Sequence, residues 1–240
     1  MNREARASRL DKLGVQHLYE LSFDAALAAR SPRAFAEEII RDRLGLAHIT
    51  VGRDFCFGKD RAGTTDDLKR YGSELGFGVT VAELVETGGV EVSSTRIRTA
   101  LSEGRPEDAA EMLGHLHRIE GVIERGDQRG RELGYPTANM AITGLHPPKF
   151  GVYAVRVDVL TGDNAGSYDG VASLGVRPMF GANLPNLETH IFDFRGDLYG
   201  TQLSVALVGY LRPEEKFNSL DELITQMDAD SAAARAILAV

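Results

Sequence analysis

The sequence has no tryptophan, a single cysteine and no long apolar run. Cys56 alone cannot form an internal disulfide or a cysteine-based zinc site, and its place between Phe55 and Phe57 fits a small buried apolar residue. No apolar stretch approaches the roughly 18 to 20 residues of a membrane helix, and the first residues lack the apolar centre of a signal peptide. We therefore expect a cytoplasmic protein with no membrane partner.

Positive charge is also scarce, because 27 Lys and Arg stand against 35 Asp and Glu, for a net charge of -8. A face that binds nucleic acid needs clustered cations to neutralise phosphates. The composition therefore disfavours nucleic acid as a partner, and an anionic ligand has to meet a local cationic or backbone site. With 240 residues, 43% of them apolar, the chain is long enough for two modest domains.

The first half alternates helices with short strands. Ser31 as cap and Pro32 as first residue predict a helix that ends at Gly45. Short apolar strands are predicted at 49–51 and 79–81, with an amphipathic helix between them. Helix and strand alternation of this kind indicates a parallel sheet.

After Gly114 the apolar period changes from helical to two. The alternation predicts strands over 151–160, 187–194 and 202–211. Several short strands in about 90 residues indicate a small antiparallel barrel, and the capping-box spacing from Ser219 predicts a final helix that packs over it. We place the domain boundary near residue 115.

Residues 126–139 form the densest candidate binding motif. Three glycines allow backbone N–H groups to approach an anion closely. Arg129 and Arg131, with Arg125 just before the motif, outnumber its acidic residues Asp127 and Glu132, which leaves a local excess of positive charge in this acidic chain. The pattern fits a phosphate cradle whose candidate residues are Gly126, Arg129, Gly130 and Arg131. The same composition is also found in ordinary turns with solvated arginines.

Thr137 and Asn139 close this motif with a hydroxyl and a carboxamide two residues apart, on one face of an extended segment. Both groups offer oxygen to a hard cation, and magnesium on a nucleotide takes most of its ligands from phosphates and water. The chain has neither a Walker A loop nor a Gly-x-Gly-x-x-Gly motif. A P-loop kinase and a Rossmann dehydrogenase are therefore disfavoured.

Taken together, these motifs resemble the bacterial bifunctional riboflavin kinase/FMN adenylyltransferases, also called FAD synthetases. The most specific match is Gly-Arg-Glu-Leu-Gly-Tyr-Pro-Thr-Ala-Asn at residues 130–139, and further matches follow in the family's order at 151–154, 175–178, 187–194 and 211–217. The resemblance implies an α/β nucleotidyltransferase-like domain with an incomplete parallel sheet over residues 1–115. A small antiparallel β-barrel riboflavin kinase domain with a C-terminal helix would follow over residues 116–240.

The resemblance also implies an activity, the phosphorylation of riboflavin to FMN by ATP with Mg²⁺. It assigns Thr137 and Asn139 to Mg²⁺ and the ATP phosphates. Glu188 would be the general base for the terminal ribityl hydroxyl, with Phe192 and Phe194 flanking it on its own strand face.

In the first half, residues 51–58 and 92–98 resemble two adenylyltransferase motifs. They imply a nucleotide-binding remnant, and its candidate residues are Asp54, Ser94, Thr95 and Arg98. The family's first strand and its turn of the form Gly-x-Phe-Asp-Gly-x-His-x-Gly-His are absent from the sequence. We therefore expect an N-terminally truncated adenylyltransferase domain that does not make FAD, and a weakly stable first half.

Two alternatives remain open. The chain could belong to a full bifunctional enzyme whose true start lies upstream. It could also be a non-catalytic module that binds flavin or nucleotide, for which the only hint is Met179 where the family usually has threonine.

Overall fold

The computed structural model describes residues 3–125, 134–142, 144–179 and 182–239. The chain divides into two compact units, one comprising His17–Val92 and the other comprising Met1–Gln16 with Ser93–Val240. Among the described residues, no helix is both long enough and apolar enough to cross a membrane. The boundary near residue 115 stays a prediction.

Helices and short strands alternate in the first half of the chain, and longer strands make up most of the second. The helices are α1 (Arg3–Lys12), α2 (Ala25–Ala28), α3 (Pro32–Ala34), α4 (Thr65–Leu75), α5 (Ser94–Glu103), α6 (Pro106–Leu113) and α7 (Leu220–Leu238). The first strands are β1 (His48–Gly52), β2 (Gly78–Ala82), β3 (Glu86–Thr87), β4 (Val90–Glu91) and β5 (His117–Val122). The remaining strands are β6 (Ala138–Ala141), β7 (Gly151–Val159), β8 (Gly166–Met179), β9 (Ala182–Ile191) and β10 (Gln202–Arg212).

The His17–Val92 unit contains the predicted parallel sheet, which has two strands. β1 and β2 pair in parallel, with Ile49 opposite Val79. The helix predicted from Ser31 begins as expected, because the Ser31 hydroxyl accepts a hydrogen bond from the Ala34 amide at 3.2 Å. After α3 it continues as a π-helix over Phe35–Arg43, whose Ile39 and Ile40 are buried.

The second unit contains the predicted barrel. Its six strands follow the order β5-β10-β7-β8-β9-β6, and every neighbouring pair is antiparallel. The edge strands β5 and β6 approach each other through a bridge between Glu124 and Asn139. This bridge nearly closes the barrel.

Alternation along each strand separates an inner from an outer face. Met140, Leu174 and Leu187, paired across β6, β9 and β8, point inward and are almost completely buried. On the outer face, α7 packs Ala234 and Leu238 against an apolar layer from β7, β8 and the end of β9. The predicted final helix therefore covers the barrel, and it begins at Ser219, whose hydroxyl caps the Glu222 amide at 3.2 Å.

Candidate active site

The pairing of β6 with β9 sets the position of the candidate catalytic carboxylate. Asn139 lies directly opposite Glu188, and Ser173 of β8 lies opposite Glu188 on the other side. Directly paired residues of an antiparallel sheet extend their side chains from the same face. The inward neighbours Leu187 and Thr189 are buried, so Asn139, Glu188 and Ser173 form a row on the outer face.

Asn139 is held by hydrogen bonds from three directions. Its side-chain Nδ2 donates to the Thr137 carbonyl at 3.3 Å, and its Oδ1 accepts from Asn186 Nδ2 at 3.2 Å. Its backbone carbonyl accepts from the Glu124 amide at 2.9 Å. The side chain is 7% exposed, and its amide oxygen has a second lone pair that can serve a donor or a cation.

Thr137 lines a cavity of about 280 Å³ in the barrel unit. The cavity lies between residues 136–138, the end of β9 and the loop that follows it. Its apolar walls include Ile123, Ala138, Ile191 and Leu198, and Arg195 and Asp197 contribute polar groups. Ala138 and Thr189 line the cavity from the inner face of the sheet, whereas their neighbours Asn139 and Glu188 lie on the outer face. Thr137, just ahead of β6, lines the cavity and leads directly to this outer row.

The segment before β6 is tied to two other elements. The Tyr135 hydroxyl donates to Asp228 of α7, and the Pro136 carbonyl lies 3.0 Å from His190 Nδ1 on β9. Desolvation raises the pKa of the Tyr135 hydroxyl, and the bond to Asp228 raises it further. Tyr135 therefore stays protonated at neutral pH and remains a donor.

The outer face also brings together two of the motifs that carry the family resemblance. Gly175 of β8 pairs with Asn186, and the Glu214 carboxylate comes so close to Gly175 that a β-carbon there would collide with Glu214 Oε1. A side chain at 175 would therefore displace the Glu214 carboxylate from its place over the strand. Residues 175–178 and 211–217 are thus neighbours beside the Asn139–Glu188 pair.

Of the two phenylalanines predicted to flank Glu188 on its strand face, only one lies on the outer face of the barrel. Phe192 does join the outer layer with α7, but Phe194 packs with the barrel core, where its ring centroid is 5.2 Å from that of Tyr168. The prediction for Phe194 is wrong because β9 ends at Ile191 and Asp193 has a φ of 57°, which breaks the strand alternation.

The predicted phosphate-loop residues Gly126, Arg129, Gly130 and Arg131 lie outside the described residues. Arg125, just before them, places its guanidinium carbon 5.3 Å from the centroid of the Tyr199 ring, which lines the cavity. The roles of these four residues remain predictions, as do those of Thr137, Asn139 and Glu188.

The candidate adenylyltransferase residues fall in different units. Asp54 is exposed in the turn after β1, within His17–Val92. Ser94, Thr95 and Arg98 are exposed on α5, in the barrel unit, and Ser93 caps that helix. The Arg98 carbonyl lies 3.2 Å from His146 Nε2, so a loop of the barrel contacts this helix. The nucleotide-binding role of these residues remains a prediction.

Three residues of the site were not singled out by the sequence: Tyr135, Asn186 and His190. Asn186 and His190 are two residues before and after Glu188 on β9, and therefore lie on the same face. This spacing of two was available in the sequence and could have identified them. The contact of Tyr135 with α7 spans 93 residues, so no local pattern could have predicted it.

Comparison with known proteins agrees with this architecture. Residues 113–238 match the family model described as riboflavin kinase, and residues 1–96 match the model described as FAD synthetase. The barrel with its C-terminal helix is thus a riboflavin kinase domain.

The full-length relatives extend this result. The bifunctional riboflavin kinase/FMN adenylyltransferase of Pseudomonas fluorescens is 42% identical over 227 residues, which cover 94% of this chain and 72% of the relative. That of Escherichia coli K12 is 37% identical over 226 residues, covering 94% of this chain and 71% of the relative. The chain belongs to the bifunctional riboflavin kinase/FMN adenylyltransferase family, which confirms the resemblance seen in the sequence.

A solved structure supports the fold independently. The crystal structure of a protein described as a macrolide-efflux protein from Streptococcus pneumoniae superposes with a TM-score of 0.84 at 33% sequence identity. The match covers 98% of this chain and 75% of that one.

Proposed function

We propose that this chain transfers the γ-phosphoryl group of ATP to the terminal ribityl hydroxyl of riboflavin, which yields FMN, ADP and a proton. The observation that carries the proposal is the pairing of Glu188 with Asn139 on the outer face, two residues along the chain from Thr137, which lines a cavity. Catalysis of phosphoryl transfer is mostly positioning and charge stabilisation. The described residues supply a carboxylate, two neutral oxygen ligands and an adjoining cavity for the nucleotide.

Glu188 is proposed as the group that accepts the proton of the attacking hydroxyl. A general base has to reach that hydroxyl from a fixed position, and β9 is paired on both sides at Glu188, with β6 and with β8. The side chain is partly buried rather than fully solvated. It can therefore contact a bound alcohol while its backbone is held by two strand partners.

The cavity beside Thr137 is proposed to receive the nucleotide. Its apolar walls suit the face of a purine, and Arg195 and Asp197 add polar groups at its edge. Thr137 belongs to both the cavity lining and the segment that leads into Asn139. Thr137 is therefore the residue through which the proposed nucleotide cavity is connected along the chain to Asn139.

The oxygen ligands fit magnesium carried on ATP. Among the described residues, no cluster of three or more His, Cys, Asp or Glu side chains could hold a metal ion. Thr137 and Asn139 instead offer a hydroxyl and an amide oxygen, which suffice when phosphates and water supply the remaining ligands. When bound, the ion would neutralise charge on the transferred phosphoryl group.

We also propose that these 240 residues do not adenylylate FMN. The six histidines stand at 17, 48, 115, 117, 146 and 190, and none lies in a Gly-x-His-x-Gly-His turn. By the family resemblance, that turn stabilises charge on the transferred adenylyl group.

One assay tests both proposals. The purified chain is incubated with riboflavin, ATP and magnesium, a second reaction starts from FMN, and the flavins are separated chromatographically. We expect FMN from the first reaction and no FAD from the second. The Glu188→Gln variant should lower kcat at least about 100-fold with an unchanged melting temperature, since removing a general base costs about 10² to 10⁴ in rate.

Glu111→Gln serves as the matched control, because Glu111 is an exposed carboxylate on α6. It should retain full activity. A Glu188→Gln variant as active as the unaltered chain would exclude Glu188 as the base. No FMN from the unaltered chain would overturn the kinase proposal in favour of a non-catalytic binding module, and FAD from the second reaction would overturn the adenylylation proposal.

A further inference from the structure

His190 lies on the same outer face of β9 as Glu188, two residues further along the strand. Its Nδ1 is 3.0 Å from the Pro136 carbonyl oxygen. A carbonyl oxygen only accepts hydrogen bonds, so Nδ1 carries the hydrogen and donates it. This bond joins β9 to the segment that leads into Thr137 and Asn139.

A second contact strengthens the junction. The His190 ring packs against the Tyr135 ring with a centroid distance of 4.9 Å, and the Tyr135 hydroxyl donates to Asp228 of α7. His190 also meets the Phe192 ring edge to face at 5.9 Å. The imidazole therefore contacts two aromatic rings, and its donor is aimed at one backbone carbonyl.

Strand pairing alone does not hold this segment. The ladder between β6 and β9 begins at Ala138, which pairs with Thr189, so Pro136 and Thr137 precede it. Pro136 has no N–H group and cannot donate a ladder bond. Its carbonyl is therefore the backbone group through which β9 can fix the chain just ahead of Thr137.

We propose that His190 is a positioning residue for phosphoryl transfer: by holding the Pro136 carbonyl, it keeps Thr137 and Asn139 in place relative to Glu188. The inference rests on the proposed function, in which Thr137 and Asn139 bind the ATP phosphates and magnesium. Glu188 keeps both of its strand partners without His190. Loss of the bond from His190 to Pro136 should therefore weaken the binding of Mg-ATP more than the binding of riboflavin.

Three substitutions at His190 separate the hydrogen bond from the bulk of the ring. His190→Asn keeps a donor near the position of Nδ1, His190→Gln moves the donor outward by one methylene, and His190→Leu removes it. We expect the Gln and Leu variants to raise KM for Mg-ATP about fivefold to tenfold, the effect of one lost neutral hydrogen bond. KM for riboflavin should stay within twofold, and His190→Asn should stay near the unaltered chain.

His115→Leu is the matched control. His115 Nδ1 also lies 2.8 Å from a backbone carbonyl, that of Leu116, but it is not part of the site. Its removal should leave both KM values unchanged. Equal rises of both KM values in His190→Leu, or an unchanged KM for Mg-ATP, would overturn the positioning role.

Amide hydrogen exchange separates this inference from the proposed function. In His190→Leu, the peptide covering residues 134–140 should exchange faster than in the unaltered chain, while peptides from β7 should not change. If the unaltered chain makes no FMN, the proposed function and this catalytic role fail together, whatever the exchange shows. If FMN is made but exchange over 134–140 is unaltered in His190→Leu, the positioning contact is wrong and the kinase proposal stands.

Discussion

Single side chains on the outer face of β9 carry much of the proposed chemistry. Asn186 orients Asn139, Glu188 faces Asn139 across the strands, and His190 holds the Pro136 carbonyl. These three residues of β9 recur at a spacing of two, and the side chains between them are buried in the barrel core. A strand with one buried face thus presents several polar groups on its other face without a dedicated loop.

The buried imidazole of His117 should make the stability of the protein depend on pH. Burial lowers the pKa of this imidazole to about 4, and the positive charges of His115 and His146 add to the effect. In the unfolded chain the pKa is about 6.5, so between pH 6.5 and 4 the unfolded state binds more protons. The free energy of unfolding should therefore fall as pH drops through this window, by at most about 3 kcal/mol.

Urea unfolding of the unaltered chain and of His117→Gln at pH 7 and pH 5 checks this expectation. The variant should lose less stability between the two pH values. Parallel losses in the two proteins would show that other groups cause the acid sensitivity.

At the scale of elements, the C-terminal helix is fastened by a buried ion pair. Arg212 at the end of β10 donates from Nε and Nη2 to both carboxylate oxygens of Asp230 on α7, at 2.8 and 2.7 Å. Gln226 donates to the same carboxylate at 2.9 Å. The bond to Asp230 raises the pKa of the Arg212 guanidinium, so the arginine remains charged. Removing the carboxylate therefore takes two hydrogen bonds from a largely buried cation, which then keeps only a weaker pair with the half-exposed Glu215 at 4.0 Å among the described residues.

We expect Asp230→Asn to lower the free energy of unfolding by about 3 kcal/mol, because breaking one side of a buried pair strands the other charge. Asp193→Asn is the matched control, since Asp193 pairs with Arg235 of the same helix at 2.9 Å but is 81% exposed. Its loss should cost under about 1 kcal/mol. Denaturant titration measures both, and equal losses would contradict a special role for the buried pair.

At the scale of the whole molecule, the two units have very different cores. Among the described residues, the main buried cluster of His17–Val92 has six members, while that of the barrel has sixteen. The parallel sheet of His17–Val92 has only the two described strands β1 and β2. In the segment before α2 of the same unit, Tyr19 is 66% exposed and Phe23 is 83% exposed. A small core and a two-stranded parallel sheet give little protection against local unfolding.

We therefore expect residues 17–92 to unfold before the barrel. Limited chymotrypsin digestion, followed by mass spectrometry, should cut first after Tyr19 and Phe23 and then remove the rest of this unit, while fragments containing β5 to α7 persist. Tyr153, which is fully buried in the barrel, is the internal control and should not be cut early. Equal protection of both units would make this prediction wrong.

Much of the local structure followed from short-range physical chemistry. Ser31 and Ser219 cap helices as predicted, and alternation of apolar residues located β7 and β10. The motif at residues 130–139 and its four companions predicted the family, which the comparisons confirm. Caps and periodicity depend on neighbours within a few positions, so a sequence displays them directly.

The arrangement of the candidate site was decided by tertiary structure. The sequence determined by itself that Thr137, Asn139 and Glu188 were candidates, and that Glu188 lies on one face of a strand. Only strand register placed Asn139 opposite Glu188, 49 positions apart in the chain. Only the packing of α7 joined Tyr135 to Asp228, and only the end of β9 turned Phe194 inward. Such contacts depend on register and packing between distant segments, which local sequence patterns do not specify.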